Sequence, residues 1–156
     1  MKRVTILPLI FLLGCATNAP VEAPSATPEV AVAIEREEEM VIYINEEMVE
    51  VAWEENQAVK ELQEKVKEAP VEIQMSMYGG FEQVGSLGFS LTREDSQMVT
   101  SCGDLVLYSG DQIVVFYGSN SWAYTKLGKI TSLSDEEIVA RLSKGDVTLT
   151  FQMDAK

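Results

Sequence analysis

Residues 103–130 read GDLVLYSGDQIVVFYGSNSWAYTKLGKI, and no other stretch limits the fold so sharply. From Asp104 to Tyr108 the residues alternate, with Leu105 and Leu107 on one side of a strand and Val106 and Tyr108 on the other. Ser109-Gly110-Asp111 supplies the turn, because glycine adopts positive φ at little steric cost. Ile113 to Tyr117 is then apolar or aromatic at every position, the pattern of a strand buried on both faces. GSNSWAYT follows, setting small polar residues around Trp122 and Tyr124, and Gly128 interrupts the next strand.

The flanking segments supply the rest of a mainly β domain. Met40–Ile44 and Met48–Trp53 are β-prone runs separated by Asn45-Glu46-Glu47, a hairpin pattern. Asn56 is a candidate N-cap for a helix that sets Ala58, Val59, Leu62, Val66 and Ala69 on one face. Glu61 and Lys65 are spaced to pair on that helix, and Pro70 stops it. Val71, Ile73, Met75 and Met77 alternate with polar residues, Gly79-Gly80 turns the chain, and Phe81–Gly88 reads as another short strand. Thr92–Ser101 reads as a polar loop. Ser134 and Glu137 form a capping box, with Leu133 and Ile138 as its hydrophobic staple. Ile138, Val139 and Leu142 are the expected buried side of this second helix, which Gly145 ends. Val147, Leu149, Phe151 and Met153 alternate in a last strand. Eight strands and two helices are predicted. Eight strands suffice to close a barrel filled by side chains and free of exposed edges, with the helices capping its open ends.

Residues 1–14 carry different information. Lys2 and Arg3 precede an apolar run, Ile6–Leu13, too short to span a bilayer as a helix. The run ends in Leu12-Leu13-Gly14-Cys15, which resembles the bacterial lipobox. That resemblance implies cleavage before Cys15, lipidation of its thiol, and anchoring to a membrane of the bacterial cell envelope. Ala16 after the cysteine implies the periplasmic side of the outer membrane, where two membranes exist. Residues 15–39 hold Pro20, Pro24, Pro28 and the acidic run Glu35–Glu39, a composition that cannot bury a core and reads as a disordered tether. The folded domain is then expected over residues 40–156.

Composition excludes several chemistries. The net charge of −13 argues against nucleic-acid binding, since phosphate contacts need clustered Lys and Arg. With no histidine in the chain, histidine triads and histidine-ligated zinc are ruled out. No EF-hand spacing and no Walker or Rossmann glycine pattern occurs, so neither metal nor cofactor is expected. Lipidation of Cys15 leaves Cys102 as the one free thiol, without a cationic sequence neighbour to activate it.

The order LGFSLT, CGDLVLY, IVVFYGSNSWAYTKLGKI and GDVTLTF resembles the bacterial cyclophilin-like domain family over Met40–Met153. The resemblance implies a closed eight-stranded β-barrel with two capping α-helices. It also raises peptidyl-prolyl isomerisation, in which an arginine beside an apolar pocket stabilises the twisted amide. The comparable region here reads Gly88-Phe89-Ser90-Leu91, without the arginine and histidine of that pattern, and Arg93 is the candidate for the missing guanidinium. Phe89, Arg93, Tyr117, Asn120, Ser121, Trp122 and Tyr124 are the candidate groove residues, with Met98 as a possible neighbour. Their flat apolar faces and hydrogen-bonding tips suit a peptide or small ligand. The other role open to Trp122 and Tyr124 is to cover the barrel end as core. The expectation is a monomeric, non-catalytic binding or scaffold module, anchored through lipid on Cys15, with a peptide or envelope protein as partner. The alternative is an isomerase with a degenerate site.

Overall fold

The computed structural model describes residues 37–155; the leader, Cys15 and the proline-rich segment as far as Arg36 lie outside the described residues. The described residues open with a tight meander. β1 (Glu38–Ile44) reaches two residues into the stretch read as tether. It turns at Asn45 and Glu46, which have φ of 49° and 71°, into β2 (Glu47–Val49). Asparagine tolerates this left-handed backbone, and Asn45 Oδ1 also accepts the Thr148 N–H at 2.9 Å. β3 (Val51–Trp53) resumes after Glu50.

α1 (Gln57–Glu68) starts where the cap residue predicts. Asn56 Oδ1 accepts the Val59 N–H at 3.0 Å, and its Nδ2 donates to the Lys126 carbonyl at 2.7 Å, so one side chain caps the helix and docks it. Ala58, Val59, Leu62 and Val66 are buried, whereas Ala69 lies past the helix end and is exposed. The predicted Glu61–Lys65 pair does not form. Lys65 lies 3.7 Å from Glu68, and Glu61 instead accepts the N–H and the hydroxyl of Thr92, each at 2.7 Å. A tertiary donor pair outcompetes a solvated surface lysine.

β4 (Val71–Tyr78) and β5 (Glu82–Ser86) flank the glycine turn. β6 (Ser96–Val99) lies within the segment read as a polar loop; only Met98 in it is partly buried, so it has no apolar pattern to betray a strand. β7 (Asp104–Tyr108), β8 (Gln112–Phe116) and β9 (Ser121–Ile130) form the central meander. α2 (Asp135–Leu142) carries the predicted capping box and buries Ile138 and Leu142, but Val139 faces water. β10 (Val147–Ala155) completes the sheet.

Among the described residues the strands number ten, yet the barrel has the eight staves expected. The antiparallel order is β2-β1-β10-β4-β5-β8-β7-β9-β3, and its two ends are consecutive in the chain. Residues 47–53 are thus a single stave that pairs with β1 through its first half and with β9 through its second. At the junction the Glu50 carbonyl accepts the Thr131 N–H at 3.0 Å. Counting that stave once, and setting aside β6, which pairs with β9, leaves a closed barrel of eight.

β8 is buried on both faces, as its unbroken apolar run predicts. Ile113 and Val115 face the barrel interior with Ile42, Leu105, Leu107 and Phe151, joined there by the apolar stripes of both helices. Val114 and Phe116 point outward into a second cluster with Val106 and Tyr124, flanked by Phe81, Val84 and Met98. Truncation to alanine should cost about 2–5 kcal/mol at Ile113 and about 3–5 kcal/mol at Phe116. A bulge decides which side of β9 faces out. Leu105 pairs with Gly128 but Val106 with Lys126, so Leu127 is the extra residue and the alternation inverts there. Tyr124 therefore belongs to the outer cluster while Leu127 and Ile130 face the interior.

Candidate functional site

The outer cluster is the floor of a cleft. Strand register lays rows of side chains across the outside of the barrel: Tyr78, Glu82 and Phe116 in one row, Val84, Val114 and Val106 in the next, then Gln112 and Tyr108. Above them stands a cleft of about 380 Å³, based on Val84, Val114 and Tyr124 and walled by Tyr78, Tyr108, Trp122 and Asn120. That volume lies within the range of small-ligand sites, about 300–1,000 Å³. Three of the five tyrosines and one of the two tryptophans in the chain line it.

The walls are held from behind. Tyr124 is buried and meets Phe116 and Tyr108 edge-on, with ring centroids 5.7 and 6.0 Å away. Its hydroxyl accepts the Asn120 Nδ2–H at 2.9 Å. Asn120 is fixed in turn by Thr100, whose N–H donates to the Asn120 carbonyl at 2.8 Å and whose Oγ1 accepts the Asn120 N–H at 2.9 Å. Trp122, by contrast, is 56 % exposed, so of the two roles open to it, it is a wall residue rather than core.

One group in the cleft is out of keeping with its surroundings. Glu82 is 6 % exposed, and its Oε2 accepts no hydrogen bond from the protein. Burial alone pushes its carboxyl up to about 7. None of the side chains lining the cleft is cationic.

The candidate residues read from the sequence divide among several places. Asn120, Trp122 and Tyr124 meet in the cleft, and Met98 packs on its floor cluster. Ser121 is exposed at the start of β9, where its Oγ accepts from Gln97 Nε2 at 3.2 Å. Tyr117 falls one residue beyond β8 on the interior side and is buried in the main core. Phe89 lies over α1, in a separate shallow hollow with Lys60 and Glu64. The Arg93 guanidinium is exposed and held by Asp95, whose other oxygen accepts from Thr125 Oγ1 at 2.6 Å. The structure therefore does not bring Phe89, Arg93 and Tyr117 into one groove with the others. Cys102 is half-buried, and burial and then Asp135 push its thiol up, which keeps it protonated.

Sequence reasoning missed Glu82, Tyr78 and Gln112. A signal for Glu82 existed: an acid at the start of a strand whose outward neighbour, Val84, is apolar. Its significance depends on the pairing of Glu82 with Phe116, and register is not visible in one sequence.

Among the described residues no helix is long and apolar enough to cross a membrane. Nor does any group of three or more Cys, Asp or Glu gather there as a metal site would require. Neither the curated proteins nor the solved structures contain a match to this chain. A model of the cyclophilin-like family does match, over residues 42–152, from β1 to β10 and so around the whole barrel. The chain belongs to the cyclophilin-like family.

Proposed function

We propose that this chain is a lipid-anchored protein of the cell envelope whose barrel binds a peptide or small ligand in the outer cleft without turning it over. What supports binding is the concentration of Tyr78, Tyr108 and Trp122, each substantially exposed, around a floor of packed apolar side chains. Exposed aromatic surface gathered in a concave site is what recognition of a flat or apolar group requires. Against isomerisation stands the commitment of Arg93 to Asp95, outside the side chains lining the cleft. Stabilising a twisted amide calls for a donor aimed into the pocket. What supports the anchor is the order of Lys2-Arg3, the apolar run and Leu12-Leu13-Gly14-Cys15.

A proline-peptide isomerisation assay, run alongside peptide titration of tryptophan fluorescence, tests the binding reading. Peptide that shifts the emission through Trp122, with no rate above background, supports it. Catalysis abolished by Arg93→Ala would replace it with the isomerase. Membrane fractionation tests the anchor: Cys15→Ser should release the protein or leave it uncleaved, and unchanged fractionation would refute lipidation.

A further inference from the structure

We propose that the outer cleft takes an organic ammonium ion, its charged head against the Glu82 carboxylate and its alkyl stem between Tyr78, Tyr108 and Trp122. The inference rests on the reading of this cleft as a binding site and names the chemistry of its ligand. Glu82 leads the argument. An acid that is 6 % exposed, with one oxygen accepting no hydrogen bond, is an expensive feature to maintain beside Phe116 and Val84. The cost falls when a cation neutralises the carboxylate, and no Lys or Arg side chain lines the cleft to do so.

The walls agree with the floor. Tyrosine and tryptophan faces attract cations through their ring quadrupoles; Tyr78 pairs with the acid across the strands, and Tyr108 and Trp122 line the same cleft. A neutral amide could serve the carboxylate oxygen but would draw nothing extra from the rings. An anion would meet Glu82 head-on. A cation on an apolar stem uses all three features together: charge, ring faces and apolar floor. The net charge of −13 favours the approach of such a ligand.

Binding also has a proton balance. Burial holds the Glu82 carboxyl at about 7, so near neutral pH the arriving ammonium displaces the residual proton to solvent and keeps its own. The other titratable groups lining the cleft are the phenols of Tyr78 on β4, Tyr108 on β7 and Tyr124 on β9.

Calorimetric titration of the full chain decides the matter, with three probes: capped Ala-Lys-Ala, its norleucine counterpart and butylammonium chloride. The lysine peptide should bind about tenfold or more tightly than the norleucine peptide. Glu82→Gln should abolish that preference by weakening the lysine peptide alone. In the native chain at neutral pH, the lysine peptide but not its norleucine counterpart should release protons to the buffer, seen as a heat that scales with the buffer's ionisation enthalpy. This second measurement does not depend on how the variant folds. Comparable binding of butylammonium would make a free amine sufficient; its failure beside a bound lysine peptide would assign the head to a peptide side chain. Equal binding of both peptides overturns the ammonium proposal while leaving the cleft as a binding site. A lysine preference that survives Glu82→Gln also overturns it. If none of the probes binds, the cleft reading falls with it.

Discussion

Glu82 gives the molecule a pH dependence opposite to that of most acids. Its carboxyl titrates at about 7 in the folded chain, against the ordinary 4.5, because burial disfavours the charged form. The folded state therefore holds a proton that the unfolded state has lost, and stability falls as pH rises through that interval. The stabilising contribution is complete below the unfolded value and gone above about 7. Glu82→Gln removes this fall. Its stability relative to the native chain should improve by about 1 to 3 kcal/mol between acidic pH and about pH 8, less than the full shift implies because the cleft is open to water. Urea unfolding of both proteins across that range checks it, and parallel profiles would refute it. Trp122 is the complementary case. With more than half of its surface in water, Trp122→Ala should leave the melting temperature within a few degrees while weakening any cleft ligand about tenfold.

The staves depend on a few positions where shape leaves no choice. Gly128 lies where β9 receives β3, and a Cβ there would meet the Ala52 carbonyl oxygen and Val51 Cγ1, each at 2.7 Å. One of the obstructing atoms is backbone, so a side chain must push the strands apart at the seam that closes the barrel. Gly128→Ala should cost about 1–3 kcal/mol, and Gly128→Val more. Amide exchange would rise first in Val51–Trp53 if the seam is what yields; a loss spread evenly over the barrel would argue against this account. The second helix makes a quieter prediction. Ser134 Oγ accepts the Glu137 N–H at 3.3 Å, and Glu137 Oε2 accepts the Ser134 N–H at 2.8 Å. Ser134→Ala should cost about 1 kcal/mol and Ser134→Asp much less, read by thermal unfolding.

How much of this barrel was written openly in the chain depends on whether a feature is local. The two-faced burial of Ile113–Tyr117, the Asn56 cap and the Ser134 capping box each sit within a few residues, where backbone chemistry can be read directly. The closure by residues 47–53, the bulge at Leu127 and the placing of Glu82 over Phe116 all depend on partners far off in sequence. The cleft was legible only where it is built from one short stretch of sequence, at Asn120, Trp122 and Tyr124. Its other walls come from β4, β5, β7 and β8, which topology alone assembles. Charge belongs with the legible features, since −13 is a sum that no fold rearranges. A field of that sign draws cationic ligands from a distance and is screened over about 10 Å at 0.1 M salt. Screening acts on the encounter more than on the seated ligand, whose head lies against a carboxylate that the surrounding protein mostly covers. Stopped-flow mixing of the lysine peptide with the full chain should therefore show association slowing several-fold from about 20 to about 300 mM salt, with dissociation changing less than twofold. An unchanged association rate would mean that the acidic surface plays no part in delivering the ligand. A dissociation rate that rises in step with salt would mean that the head sits in open water rather than beside Glu82.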